Sequence, residues 1–218
     1  MVEVCKGITI EANHFSELVL LAAPFFSKLF GEERAVELLQ YLYVHDNNLF
    51  SFSHCLFAQD GDDILGLVVG YDWQTKQSEQ LGTGYLMIKH LGLQFFKALP
   101  ALLKLDAQVS RISREDYYIA FLAVYQQVQT RGVGTALMKR AEEDAVSCGA
   151  KFICLDVETE NENAVRFYQK RGYRIERTFS VNLTQEVVLH FHRMKKRINW
   201  FQQTNGFCLL EPDHKSVR

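Results

Sequence analysis

The run Gln129-Thr130-Arg131-Gly132-Val133-Gly134 constrains this chain more than any other stretch. It lies between a segment that reads as a buried strand and a segment with helical periodicity. Tyr117 to Val124 is rich in β-branched and aromatic residues and holds no Gly or Pro, a strand signature. Val133, Leu137, Met138, Ala141 and Ala145 then recur at helical spacing, with Lys139, Glu142 and Glu143 on the other face. Gly149 supplies a helix stop. The first N–H groups of such a helix lack intrahelical partners and lie at its positive dipole end, so they can hold an anion. Two glycines one residue apart let the main chain approach a ligand with no Cβ in the way. Taken alone, the turn is equally compatible with a plain strand-to-helix connection.

A second segment stands at the right distance. Phe152 to Val157 reads as another strand, and Asn161 to Tyr173 as a short helix closed by Gly172, with Ala164, Phe167 and Tyr168 along one side. This order of strand, glycine turn, helix, strand and short helix resembles the GNAT superfamily of acyl-CoA-dependent N-acyltransferases. That family's pyrophosphate loop reads Gln/Arg-x-x-Gly-x-Gly/Ala, matched here by Gln129, Gly132 and Gly134. Its later Asn-x-x-Ala-x-x-Phe/Leu-Tyr and Gly-Phe/Tyr segments are matched by Asn161, Ala164, Phe167, Tyr168, Gly172 and Tyr173. Its Leu-x-Val pair before the loop is Leu122 and Val124. The resemblance covers about Tyr117 to Tyr173. It implies an α/β chain of the α+β type, with a mixed, mostly antiparallel sheet splayed in the middle and helices on both faces.

One domain over 1–218 accommodates the whole chain. It has 218 residues, 48% of them apolar, which is ample for a core. Net charge is −2 with both signs interspersed, so no basic field argues for nucleic acid. Cys5, Cys55, Cys148, Cys154 and Cys208 form no Cys-x-x-Cys pair. Reduced thiols in a cytoplasmic protein are expected, with neither a disulfide framework nor a bound metal. The N-terminus shows no signal-peptide pattern. The most apolar stretch, Leu91 to Leu105, is interrupted by Lys97, Pro100 and Lys104, so no membrane span is expected.

Outside the motif region, Gly7 to Glu11 reads as a first strand and Asn13 as the N-cap of a helix carrying Leu18 and Leu21. Pro24 splits that helix from a shorter one, Phe25 to Phe30, ending at Gly31. A further helix covers Glu32 to Val44. Phe50 to Ala58 and Ile64 to Tyr71 read as strands joined at Asp60-Gly61. Gln77 to Ser113 is extra to the smallest fold of the family. It reads as one or two helices broken by Gly92 and Pro100, partly core and partly a lid whose aromatic edge, Tyr85, Phe95 and Phe96, lines the acceptor pocket. Arg177 to Leu183 and Glu186 to Arg193 form a closing hairpin. The tail from about Ile198, with Trp200, Phe201, Phe207, Leu209 and Leu210, is expected to pack on something, a second subunit making a homodimer being one choice.

The resemblance also implies a chemistry: acetyl transfer from acetyl-CoA, held as a cosubstrate, to a primary amine in a ternary complex. Main-chain groups of Leu122, Ala123 and Val124 would pair with the pantetheine arm as an added strand. The pyrophosphate would lie on the N–H groups from Arg131 through Gly132, Val133, Gly134 and Thr135, with Gln129 and Thr130 completing the loop. The N–H of Val124 would polarise the thioester carbonyl. Tyr168 would protonate the departing thiolate, with Ala164 and Phe167 beside it. Asn161, or Asn163 in its stead, would bond the pantetheine arm, although Asn there is also a natural helix cap. Several family members carry a glutamate six residues before the Val position. Here it is Tyr118, so the proton acceptor is assigned to a water relay ending at Asp116 or Glu115. By strand periodicity Asp116 and Tyr118 share a face with Ala120, Leu122 and Val124.

Other features point nowhere specific. His190 and His192 flank Phe191 on one strand face without a third ligand, so exposed polar residues are expected rather than a metal pair. The basic run Arg193 to Arg197 reads as a solvated strand end. Two alternatives remain open: a binding module that keeps the acyl-CoA cleft without turnover, and a nucleotide site. The lysine of a phosphate-binding Gly-x-x-x-x-Gly-Lys loop is absent. The acceptor itself is not fixed by the fold.

Overall fold

The computed structural model describes residues 2–109, 111–129, 131–184 and 187–198. Seven strands form one sheet: β1 (Glu3–Lys6), β2 (Cys55–Asp60), β3 (Asp63–Asp72), β4 (Asp116–Val124), β5 (Phe152–Glu158), β6 (Arg174–Asn182) and β7 (Val188–Arg197). Their spatial order is β1-β2-β3-β4-β5-β7-β6. Every neighbouring pair is antiparallel except β4 and β5. The helices are α1 (Ala12–Ala22), α2 (Phe25–Phe30), α3 (Glu32–Tyr43), α4 (Trp73–Leu91), α5 (Phe95–Gln108), α6 (Val133–Ser147) and α7 (Glu162–Gln169). The sheet is coated on both faces. On one, Phe15, Leu18, Phe26 and Leu38 of α1 to α3 pack on Phe57, Leu67 and Val69. On the other, Val133, Leu137, Met138 and Ala141 of α6 pack on Val68, Tyr117, Ile153 and Leu155.

Helical periodicity placed α3 and α6 within a residue or two of their observed ends, and Pro24 does separate α1 from α2. Several expectations change. The first strand is Glu3–Lys6, and Thr9–Glu11 is a 3-10 turn in which Ile8 N–H donates to Glu11 Oε2 at 2.8 Å. Asn13 lies inside α1, whose N-cap is Glu11. Its carbonyl accepts from Ser16 Oγ and its side chain from Gln40, so it ties α1 to α3. Residues 50–54 are turn and 3-10 backbone held by Ser51, and β2 begins only at Cys55. Among the described residues Cys5, Cys55, Cys148 and Cys154 are free thiols, while Cys208 and the tail after Ile198 lie outside them.

The helical insert is a hairpin. Asp72 caps α4 by accepting from Thr75 N–H at 2.8 Å. The chain reverses at Gly92–Gln94, and Asp106 near the end of α5 meets Lys76 and Gln80 near the start of α4. Pro100 does not break α5. It lies on the exposed side, and the buried stripe Phe95, Ala98, Ala101 and Leu105 carries the helix through it. By length and composition alone the run Trp73–Gln108 is a candidate membrane span, which departs from the reading of Leu91 to Leu105. The reversal divides it into two arms.

A candidate active site where two strands part

The parallel pairing of β4 with β5 covers only Asp116–Ile119 against Phe152–Leu155. Beyond it the strands diverge. A β-bulge marks the spot: Val69 pairs with Phe121 and Gly70 with Ile119, so Ala120 is the extra residue. A bulge adds one residue and turns the side chains after it to the opposite face. Tyr117, Ile119, Leu122 and Val124 therefore pack on the α6 side. Phe121 and Ala123 pack against the α1–α2 side, and Tyr118 shares that face with Tyr71 and Cys154. The uninterrupted period that put Tyr118, Leu122 and Val124 on one face does not hold across Ala120.

The parting of β4 from β5 leaves a free edge on β4. Tyr125 N–H donates to Leu65 O at 3.0 Å, so by antiparallel alternation Ala123 faces β3, while the main-chain groups of Leu122 and Val124 face the wedge. Consistent with this, Val124 O is met by a side chain, Gln129 Nε2, at 3.4 Å. The turn after β4 delivers the start of α6 to the same wedge. Gly132 has φ +80 and forms the N-cap. Arg131 N–H bonds Val128 O, and Thr135 N–H bonds Gly132 O. Among the described residues this leaves the N–H groups of Gly132, Val133 and Gly134 without main-chain acceptors, a shorter set than Arg131 to Thr135. Thr130 lies outside the described residues. A Cβ on Gly134 would lie 3.2 Å from Phe167 Cζ, so glycine there lets α6 approach α7 closely.

Arg171 was not anticipated. Its Nη1 donates to Phe167 O at 2.8 Å and its Nη2 to Thr135 Oγ1, while its guanidinium covers the Phe167 ring. Nε is buried with no hydrogen-bond partner. Through Thr135 the Arg171 cation stands at the first turn of α6, and its charge together with the three free amides suits a diphosphate. Its place just after α7, on no periodic face, gave no signal in the sequence.

On α7, Asn161 accepts from Ala164 N–H at 3.1 Å as the N-cap and also lines the cavity below the wedge, as does Ala164. Asn163 is turned to Arg166 on the outer surface, so it does not exchange roles with Asn161. Tyr168 is buried, its ring edge-on to Phe167 and Tyr173. It lines the cavity, and among the described residues its hydroxyl has no hydrogen-bond partner. Burial, with Arg171 opposing, holds this phenol protonated well above the ordinary tyrosine range.

The cavity has a volume of about 510 Å³ and reaches from Leu122 and Tyr168 to the helical hairpin. Of the aromatic edge expected to line it, only Phe95 does; Tyr85 and Phe96 are 65% and 57% exposed and point away. Two carboxylates near the end of β5 border it. Asp156, the first residue beyond the parallel pairing, is held by its cross-strand partner Arg193 at 2.6 Å and 2.7 Å. It also accepts from Tyr118 at 3.1 Å. Burial opposes the charge on Arg193, but the hydrogen bonds and charge of Asp156 outweigh it and raise its pKa. Glu158, three residues past the last position at which β5 pairs with β4, lines the cavity across from β4. Burial raises its pKa most, Lys28 opposes and Glu160 adds.

Asp116 and Glu115 stand apart from the wedge. They lie at the opposite end of β4, roughly 25 Å from Val124 at the usual rise per residue. Asp116 pairs with Lys195 at 2.8 Å and accepts from Ser113, and Glu115 pairs with Lys151 at 2.6 Å. Each is spent on a fold contact, so neither ends a relay to the cleft. The basic run is likewise engaged rather than solvated: Lys195 meets Asp116 and Lys196 meets Glu142. His190 and His192 bond Ser180 and Thr178 across β6, and no cluster able to hold a metal occurs among the described residues.

Comparison with known proteins agrees with this geometry. Residues 15–173 match the acetyltransferase (GNAT) family. A stretch of 52 residues is 44% identical to uncharacterized protein YxbD of Bacillus subtilis (strain 168), over 24% of this chain and 33% of that protein. The chain thus matches about a third of this curated relative. A crystal structure of an acetyltransferase superposes with TM-score 0.67 at 16% identity, covering 90% of this chain and 100% of the other. The structure of yncA from Salmonella typhimurium, determined with its cofactor acetyl-CoA, superposes with TM-score 0.53 at 13% identity, covering 91% and 95%.

Proposed function

Because the chain belongs to the acetyltransferase (GNAT) family, we propose that it transfers an acetyl group from acetyl-CoA to a primary amine while both are bound. The observation that carries this reading is the coincidence at one wedge of a strand edge that β5 has left, three helix-start amides and a buried phenol, the amides and phenol without partners among the described residues. Acetyl-CoA would supply the activated acyl thioester. The amides of Gly132, Val133 and Gly134, with Arg171, would hold its diphosphate, and the main chain of Leu122 and Val124 its pantetheine arm. Asn161 retains its amide N–H₂ for the same arm. The Val124 N–H would polarise the reacting carbonyl, a contribution of about 3 kcal/mol for one such donor. Tyr168, kept protonated by burial, would donate to the departing sulfur.

Free-thiol release from acetyl-CoA in the presence of a panel of primary amines tests this. Amine-dependent release that collapses in Tyr168→Phe supports acetyl transfer. Tight acetyl-CoA binding with no amine-dependent release would mark a binding module that retains the cleft without the chemistry.

A further inference from the structure

Past the wedge the cavity is bordered by Phe26, Phe50, Met87, Phe95, Leu99 and Leu102. Most polar groups that reach it are already satisfied. Thr83 donates to Glu79 O and accepts from Leu49 N–H. Asp106 is held by Gln80 and Lys76, and Asp156 by Arg193. Glu158 differs: no basic group among the described residues lies within ion-pair distance of it, and burial and Glu160 make its charged form costly although Lys28, which shares a second, smaller pocket with Glu158, Glu160 and His190, favours that form. It stands where β5 has left β4, at about the level of Leu122, on the same side of β5 as Asp156.

We infer that the acceptor is a primary amine with one positive charge on an arylalkyl or medium-length alkyl body, its ammonium facing Glu158 and its body filling the apolar space beneath the helical hairpin. This deepens the acetyl-transfer reading and rests on it. An ammonium answers the unpaired carboxylate, and an apolar body gains from burial in a cavity that offers it few hydrogen bonds. A polyamine fits poorly. Its further ammonium groups would lie among Met87, Phe95 and Leu99, where Asp106 is already taken. A peptide would bring unpaired main-chain groups into the same space.

Every proton in the transfer has a donor and an acceptor. The ammonium gives one proton to the Glu158 carboxylate, directly or through a water, which passes it to solvent. The neutral nitrogen forms the C–N bond as the C–S bond breaks, the sulfur takes the Tyr168 proton, and the second nitrogen proton restores the phenol.

The test uses the full chain, acetyl-CoA and thiol release with straight-chain amines from propylamine to octylamine, 2-phenylethylamine, spermidine and a lysine-containing peptide. kcat/KM is expected to rise about fourfold per methylene until the cavity is full, and to favour the longer monoamines over spermidine and the peptide. Leu99→Trp, which fills the distal space, is expected to erase the chain-length dependence of kcat/KM. Glu158→Gln is expected to raise KM for every amine, leave KM for acetyl-CoA unchanged and remove the acid limb of the pH profile. Turnover with no chain-length dependence, or with spermidine or the peptide preferred, overturns the acceptor class and leaves acetyl transfer standing. No thiol release with any amine, despite a folded protein, overturns both.

Discussion

Arg193→Met is the sharpest perturbation of the wedge's foundation. The Arg193 and Asp156 side chains are 4% and 1% exposed and are joined by two hydrogen bonds. Arg193 also donates to Arg111 O, and Tyr118 donates to Asp156. Removing the guanidinium leaves the carboxylate in a dry setting without its cation, with Tyr118 still donating to it. Breaking a buried pair from one side costs about 3–5 kcal/mol, a large part of the roughly 5–15 kcal/mol that holds a domain folded. Replacing both residues, Asp156→Asn with Arg193→Met, removes the stranded charge and is expected to recover most of that loss. The sign of the pH effect follows. In the single variant the folded state gains by protonating Asp156, so its stability falls as pH rises and the deficit is larger at pH 8 than at pH 5. Urea unfolding followed by far-ultraviolet circular dichroism at both pH values completes the cycle. A single-variant cost below about 1 kcal/mol, or one independent of pH, would refute this account of what anchors the strands where they part.

Four further outcomes are expected. Tyr168→Phe lowers kcat by about two orders of magnitude or more with KM for acetyl-CoA little changed, since the hydroxyl acts only on the leaving group; steady-state kinetics decide it. Gly132→Ala, at φ +80, costs about 1–2 kcal/mol and weakens coenzyme A binding, read by urea unfolding and calorimetry. Arg171→Met weakens coenzyme A but not pantetheine, because its charge at the first turn of α6 favours the diphosphate; paired titrations separate the two. Glu158→Gln raises the melting temperature at pH 7.5 while lowering kcat/KM. The raised pKa of Glu158 means its contribution is fully present below the ordinary carboxylate value and lost as pH rises through the raised one.

The motif region was legible because its signals are local. Tyr117 to Val124, the paired glycines and the spacing from Val133 to Ala145 report a strand, a turn and a helix without help from distant chain, and the structure has all three. The bulge at Ala120 was not legible. It arises from pairing with Val69 and Gly70, some fifty residues away, and nothing in the β4 sequence alone announces the extra residue. The same holds for Asp156 with Arg193, which meet only because β7 lies antiparallel to β5. That pairing turned part of an apparently solvated basic run into a buried anchor. Asp116 and Glu115 show the converse: proximity to the motif in sequence means little at the far end of a strand. Glu158 lay one residue past the end assigned to the second strand, and only the divergence of β4 from β5 exposes it to the cavity.

The central claim is that the free amides after β4 receive the diphosphate of coenzyme A while the open edge of β4 receives its pantetheine arm. A crystal structure of the protein with coenzyme A tests it most directly. The account predicts phosphate oxygens within about 3.2 Å of the main-chain nitrogens of Gly132, Val133 or Gly134, with pantetheine amides paired to Leu122 and Val124. A diphosphate bound elsewhere, with that strand edge left bare, would contradict it.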